Sequence, residues 1–285
     1  MRLKKLRRRA GGTIDRRGAG GGSPIGMGGM PIAAGGGGLL VLIAVVVVMS
    51  LLTGGGDPTG QAPAVGGAAG GDPETREVVD AVVDDIQTTW DEIFTREGQA
   101  YQDTDVVLFD DVVASGCGRA TSAVGPFYCP LDQLIYLDLG FFRELEQRFG
   151  AAGDFAEAYV IAHEVGHHVQ HLLGAEQRVR RDSEREPSTA NDLSVRLELQ
   201  ADCYAGVWGR AANAEGILQP GDLQEGLQAA AAIGDDRIQE KVEGRVDPES
   251  WTHGSSEMRV RWLETGYQIG NPDACDTFSV PSSEL

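Results

Sequence analysis

The five residues HEVGH at 163–167 constrain the fold of this chain more than any other feature. Two histidines four residues apart lie on one face of an α-helix, where both can bind the same metal ion. Glu164 follows the first histidine and can take a proton from a water bound to that metal. The spacing therefore predicts a helix through these residues and a zinc site, with His163 and His167 as ligands and Glu164 as general base.

The residues around this motif are typical of a buried helix. Gly174 follows the apolar run, and glycine is common directly after the last residue of a helix. The flanking side chains are apolar at helical spacing, namely Phe155, Tyr159, Val160, Ile161, Val165, Val169, Leu172 and Leu173. The alternative is a buried helix that merely contains imidazoles, and it would need hydrogen-bond partners for several rings in an apolar setting. The context favours the metal site.

A zinc hydrolase takes three protein ligands and leaves one position for water. Within the motif helix, His168 points about 100° away from its neighbour, and His171 lies roughly 12 Å along the axis from His163. A glutamate from a following helix is the remaining pattern, and Glu198 is the candidate. Asp202 lies one turn further and could hold a ligand imidazole by its second nitrogen. A solvated carboxylate pair is the alternative, but the apolar neighbours of this pair indicate burial.

Charge and apolar residues divide the chain into four parts. Residues 1–31 hold eight of the 24 Lys and Arg and one of the 43 Asp and Glu, so the remainder is strongly acidic. An acidic body argues against nucleic-acid binding by the main domain. Residues 32–53 contain a long apolar run and can span a bilayer. Residues 54–71 read as a Gly-rich linker, and residues 72–285 have the length of one domain.

This order predicts a single-pass membrane protein attached to the lipid bilayer by an uncleaved anchor. A cleaved signal peptide is the alternative, but about thirty residues precede the apolar run and no small-residue cleavage site follows it directly. The positive charge before the run predicts a cytoplasmic N-terminus and an extracytoplasmic domain. We expect residues 1–38 to be disordered.

The pattern of residues 72–285 predicts a mostly helical α+β domain with a small β-sheet before the motif helix. Helical spacing begins after Asp72-Pro73, which suits an N-cap and first helical position. Charged residues 177–186 favour a solvated loop over a mobile flap. Strands are predicted at 105–113 and 134–139, and later helices at 141–149, 155–173, 190–213, 221–233 and 255–268.

The four cysteines suit an oxidising compartment. Cys117 and Cys129 flank eleven residues that include turn-forming glycine and proline, so they can close a small loop. Cys203 and Cys275 then remain as a second candidate pair. Four cysteines allow three connectivities, and the spacing does not choose among them. Oxidised pairs fit an extracytoplasmic domain, whereas free buried thiols are the alternative.

Four segments resemble the neutral zinc metallopeptidases, a family of membrane-anchored bacterial proteins: GPFYCPLDQLIYLDLGFF at 125–142, AYVIAHEVGHHVQHLLG at 158–174, RLELQADCYAGVWG at 196–209, and 253–278. The resemblance covers essentially all of 72–278. It implies a zincin-like fold of the gluzincin kind with one zinc ion per chain. It also implies His163, His167 and Glu198 as ligands, with Glu164 as catalytic base.

A donor that stabilises the transition state is still needed, and His253 is the one histidine outside the motif helix. It precedes a helix beside Gly254, which suits a loop residue that reaches into a cleft. A helix-capping or core histidine is the alternative.

Three functions remain open at this point. The first is a peptidase acting on peptides or proteins. The second is an extracytoplasmic zinc amidase acting on cell-wall material with the same chemistry. The third is a non-catalytic, metal-stabilised interaction module, which would have no need of a base such as Glu164.

Overall fold

The computed structural model describes residues 1–7, 12–17 and 73–285. Two strands rich in buried β-branched and aliphatic residues, β2 (Asp105–Phe109) and β6 (Leu134–Asp138), form the centre of a sheet. Strand β1 (Thr13–Asp15) and strand β5 (Phe127–Cys129) flank them. The sheet order is β1-β2-β6-β5, with β5 antiparallel and the other neighbours parallel. A separate hairpin joins β3 (Val112–Ser115) to β4 (Gly118–Thr121).

Helices make up most of the described domain. The first, α1 (Pro73–Arg96), lies between β1 and β2 in the sequence, and α2 (Leu139–Phe149) follows β6 directly. The remaining helices are α3 (Asp154–Leu172), α4 (Ala175–Arg185), α5 (Ala190–Ala214), α6 (Asp222–Ala232), α7 (Asp235–Glu243) and α8 (Ser256–Ile269). The prediction of a mostly helical α+β domain with a small sheet before the motif helix is confirmed.

Helices α5 and α8 cross with their backbones almost in contact. A Cβ atom on Gly206 would lie 2.1 Å from the carbonyl oxygen of Leu263, and one on Gly266 would lie 1.9 Å from that of Cys203. Both distances are far below van der Waals contact, so glycine is required on both sides of the crossing. This close approach fixes α8 against the helix that carries the predicted third ligand.

Two local predictions are wrong. Residues 177–186, predicted as a loop, lie mostly in α4. The predicted strand at 105–113 ends at Phe109, and the chain turns through Asp111 at φ 61° before β3 begins. Asp tolerates this left-handed backbone better than most residues, which lets the chain reverse inside an otherwise strand-like sequence. Helix α7 and the hairpin of β3 and β4 are absent from the prediction.

The N-terminal segment is packed on the domain where the sequence predicts disorder. Leu6 is buried, with 6% of its surface exposed, and β1 adds a parallel strand to the edge of β2. The prediction of disorder is therefore wrong for residues 1–7 and 12–17. The predicted anchor at 32–53 and linker at 54–71 lie outside the described residues. Among the residues that are described, no helix combines the length and apolar composition of a bilayer span.

Both disulfides lie within the described domain. Cys117 pairs with Cys129, and Cys203 on α5 pairs with Cys275. Of the three pairings that four cysteines allow, the structure therefore has the one that joins each cysteine to its neighbour in the sequence.

Candidate metal centre

Helices α3 and α5 bring the predicted ligands together because they pack closely beside the motif. A Cβ atom on Gly166 would lie 3.0 Å from the carbonyl oxygen of Ala201 and 3.1 Å from its Cα. This glycine, one of the two variable positions of the motif, lets α5 approach the helix that bears both histidines. Glu198, less than one turn before Ala201, therefore lies beside them.

Each predicted ligand contributes one atom to a compact cluster. One donor atom each from His163, His167 and Glu198 lies within 4.8 Å of the others. The Nε2 atom of His163 is 3.1 Å from Oε2 of Glu198, and Nε2 of His167 is 3.6 Å from Oε1. His163 and Glu198 are 6% and 4% exposed. Two imidazole nitrogens and one carboxylate are the donor set of a catalytic zinc site, so these residues fit the ion.

The second nitrogen of each imidazole is held by a neighbouring side chain. Nδ1 of His163 is 2.9 Å from Oδ1 of Asp202, and Nδ1 of His167 is 2.9 Å from Oε1 of Gln170. With Nδ1–H donating to these oxygens, Nε2 of each ring is free to bind a metal. The structure thus places Asp202 where the sequence predicted it. Gln170 is an addition that the sequence did not single out.

The pocket favours positive charge at the first histidine. Burial lowers the pKa of His163, but the carboxylates of Asp202 and Glu198 raise it more, to about 10. These same negative groups attract a metal cation at this position.

Glu164 is buried beside the ligands, with 6% of its surface exposed. Burial raises the pKa of its carboxyl group, while the imidazoles of His167 and His163 lower it to a smaller extent. The backbone N–H of Tyr128 on β5 also favours the charged form of this carboxylate and so lowers its pKa slightly. Glu164 is therefore a buried neighbour of the candidate ligand histidines in the sequence, with a carboxylate that accepts a proton more readily than an exposed one.

His253 lies in a loop that one carboxylate organises. Asp235 accepts backbone hydrogen bonds from Thr252, His253 and Gly254, and its Oδ1 is 3.1 Å from Nδ1 of His253. Gly254 has φ 90°, a conformation that favours glycine. Burial lowers the pKa of His253 and Asp235 raises it more. A Cβ atom on Gly254 would lie 3.2 Å from Val195 and 3.4 Å from Leu199, so this loop lies against the part of α5 that carries Glu198.

The two other histidines of α3 stay outside the centre, as the helical geometry predicts. His168 contacts the hydroxyl of Tyr128 at 3.0 Å and the carbonyl oxygen of Gln102 at 2.6 Å. Burial lowers the pKa of His168 to about 4, so this ring is neutral. His171 pairs with Glu176 at 3.0 Å.

A buried arginine is the main component of the site that sequence reasoning missed. Arg259 on α8 binds Asp202 through two nitrogens, at 2.8 and 2.9 Å. It shares the buried face of α8 with Trp262, Leu263 and Gly266. An arginine within an apolar stripe at helical spacing was the available signal, because such a charge must have a buried partner.

Comparison with known proteins agrees with this geometry. The chain belongs to the family described as "Putative neutral zinc metallopeptidase", whose model matches residues 1–278. It is similar to the uncharacterized protein YpfJ of Escherichia coli, with 47% identity over 206 residues, or 72% of each chain. It is also similar to an uncharacterized protein of Mycobacterium tuberculosis, with 50% identity over 183 residues, or 60% of this chain and 61% of that one. No solved structure shows a significant match. The family resemblance read from the sequence is confirmed.

Proposed function

We propose that this chain is a zinc-dependent metallopeptidase that hydrolyses peptide bonds. The observation that carries the proposal is the convergence of His163, His167 and Glu198 on one point, with a buried carboxylate, Glu164, beside them. A purely structural metal site has four protein ligands and no base, whereas three ligands leave a position for water. Family membership supports the same conclusion.

The residues divide the chemistry between them. A bound zinc ion would supply the Lewis acid that lowers the pKa of a water and polarises the scissile carbonyl group. Glu164 accepts the proton of the attacking water and delivers it to the leaving amine. Asp202 holds His163 in the tautomer that leaves Nε2 free. His253, held by Asp235, donates a hydrogen bond to the oxyanion that develops in the transition state.

The edge strand supports an extended peptide as substrate. Strand β5 lies at the edge of the described sheet, and the backbone N–H of Tyr128 in this strand favours the charged form of Glu164. A peptide that adds to an exposed strand edge gains main-chain hydrogen bonds. A peptide bound along β5 would pass beside the general base.

The location of the enzyme is part of the proposal. We propose an extracytoplasmic domain, because two disulfides are formed and such bonds persist in oxidising compartments. Attachment to a bilayer through 32–53 and the lack of a nucleic-acid partner rest on the sequence alone and stay predictions.

The test compares the full-length chain with two variants of α3. Glu164→Gln removes the base, and Glu157→Gln removes an exposed carboxylate from the same helix as a matched control. Zinc content is measured together with cleavage of a peptide library and of cell-wall fragments. We expect one zinc per chain in all three proteins. We expect chelator-sensitive peptide cleavage that falls by about 10²–10⁴-fold only in Glu164→Gln.

Three results would contradict the proposal. Absence of zinc from the unaltered chain would remove the metal site altogether. Loss of zinc from Glu164→Gln would show that Glu164 is a ligand rather than the base. Zinc without peptide cleavage would favour the alternatives: release of cell-wall fragments would indicate an amidase, and no release would indicate a non-catalytic module.

A further inference from the structure

A guanidinium group lies in the core of the domain behind the metal ligands. Arg259 on α8 is 2% exposed, although arginine is among the residues least often buried. Its Nη1 atom donates to the carbonyl oxygen of Ile233 at 3.3 Å, and its Nη2 atom donates to the hydroxyl of Tyr159 at 3.2 Å. A charge at this depth requires a fixed partner of opposite sign.

That partner is Asp202, which is fully buried. Nε of Arg259 donates to Oδ2 at 2.8 Å, and Nη2 donates to Oδ1 at 2.9 Å. The two parallel bonds fix the plane of the carboxylate, which a single point charge could not do. Tyr159 donates a third hydrogen bond, 2.5 Å long, to Oδ1.

The fourth hydrogen bond on Asp202 connects this pair to the metal site. Oδ1 of Asp202 accepts from Nδ1 of His163 at 2.9 Å. Because Arg259 and Tyr159 fix the position of Oδ1, they also fix the rotation of the imidazole about its χ angles. The same rotation decides where Nε2 points, and Nε2 is 3.1 Å from Glu198. A continuous path thus runs from α8 through α5 to the ligand on α3.

We propose that Arg259 is a positioning residue for the metal centre: its bidentate grip on Asp202 holds His163 in the orientation that binds zinc. The proposal rests on the zinc site of the proposed function and deepens it. Partners that orient a metal-binding histidine commonly change metal affinity by about 10–100-fold when they are lost. Arg259 acts through the orientation of that carboxylate, and its Nη2 atom also lies 3.4 Å from Nδ1 of His163, whose N–H donates to Asp202.

A purely structural role is the competing explanation, since α8 packs against α5 and any buried ion pair between them would stabilise the fold. Arg196 provides the matched control. It is a buried arginine of α5 whose guanidinium binds the carbonyl oxygens of Thr277 and Val280 and the hydroxyl of Ser282. Its guanidinium group holds the C-terminal segment. Among the hydrogen bonds of the described residues, none joins Arg196 to Asp202 or to the two histidines.

The experiment measures the dissociation constant for zinc by competition with a chelator, using the full-length chain. Arg259→Lys keeps the positive charge but loses the guanidinium fork, that is, the two parallel N–H groups that bind Asp202. Arg259→Met loses both the charge and the fork, and Arg196→Lys is the control. We expect the dissociation constant to rise about 10-fold in Arg259→Lys and up to about 100-fold in Arg259→Met. Arg196→Lys should lower the unfolding temperature and leave the zinc constant within about twofold of the unaltered chain.

The outcomes separate the possible failures. An unchanged zinc constant in Arg259→Lys overturns the inference even if Arg259→Met does not fold, because the fork is then unnecessary. Equal weakening by Arg196→Lys overturns it as well, since general loosening of α5 would explain the effect. Lack of zinc binding by the unaltered chain overturns the proposed function together with this inference.

Discussion

The N-terminal segment makes a buried ion pair whose removal should destabilise the whole domain. Arg7 donates to Oδ1 of Asp85 through Nε at 3.0 Å and through its backbone N–H at 3.1 Å. The side chain of Asp85 is fully buried, while that of Arg7 is 23% exposed. Trp208 donates to the second carboxylate oxygen at 2.9 Å. Arg7→Met would leave this carboxylate with one side-chain donor from the core and no cation from the N-terminal segment.

The magnitude follows from the burial of the pair. Removal of one partner of a buried ion pair costs about 3–5 kcal/mol, because the other charge remains uncompensated in the core. The Trp208 bond persists and Arg7 is partly solvated, so we expect the lower end, about 3 kcal/mol. For a domain of this size that loss corresponds to a fall in Tm of about 6–12 °C.

The assay is urea and thermal unfolding of the full-length chain in mild detergent. Lys4→Met is the matched control, because Lys4 belongs to the same segment and is exposed. The double variant with Asp85→Asn should recover more than half of the lost stability, since it removes the uncompensated charge. If Arg7→Met changes the free energy of unfolding by less than about 0.5 kcal/mol, as expected for Lys4→Met, the segment does not dock as described.

Three further predictions concern the domain itself. Replacing Cys203 and Cys275 by alanine should lower the free energy of unfolding by about 4 kcal/mol, because the disulfide closes a long loop between positions 72 residues apart. A free energy of unfolding within about 1 kcal/mol of that of the unaltered chain would argue against this entropic contribution. Gly266→Ala should lower the free energy of unfolding by about 1–3 kcal/mol or more, since the added Cβ atom meets backbone atoms of α5. Gly209→Ala should lower it less, because its Cβ atom meets only side-chain atoms, at 3.3 and 3.5 Å. Equal effects in urea unfolding would contradict the close crossing of α5 and α8. The raised pKa of His253 means that its imidazole keeps its proton to a higher pH than an ordinary histidine and loses it as pH rises through the raised value. The rate of peptide cleavage should therefore have an alkaline limb that disappears in His253→Gln, and persistence of the limb would assign it to another group.

The two histidines of the candidate metal site could be found from the sequence because their signal is local. His163 and His167 are one helical turn apart, so any helix through them creates half of the site. Glu198 required an inference about a second helix, drawn from a carboxylate among apolar residues, which must have a partner. The structure places this carboxylate beside both histidines. The close contact at Gly166, which brings the two helices together, has no signature in the sequence beyond the glycine itself.

Other features depend on partners that are distant in the sequence. Arg259 is 57 residues from Asp202, and only the crossing of α5 and α8 brings them together. Strand β1 has three residues in a basic segment, and its conformation is decided by the open edge of β2 rather than by its own propensity. Helix α4 escaped prediction because its charged sequence contains too few apolar residues to show a helical period.

The docked N-terminal segment also constrains how the chain can be arranged at a membrane. An anchor at 32–53 that crossed a bilayer once would put residues 1–17 and 73–285 on opposite sides, and β1 could not then pair with β2 of its own chain. The pairing of these strands and the predicted orientation exclude each other within one molecule. Single cysteines at the exposed positions Lys4 and Arg245 distinguish them, because the native cysteines are all in disulfides. We expect a membrane-impermeant thiol reagent to label either both cysteine variants or neither of them in intact cells. Labelling of Arg245→Cys without Lys4→Cys would show that the chain crosses the bilayer once and that its own N-terminal segment does not pair with β2.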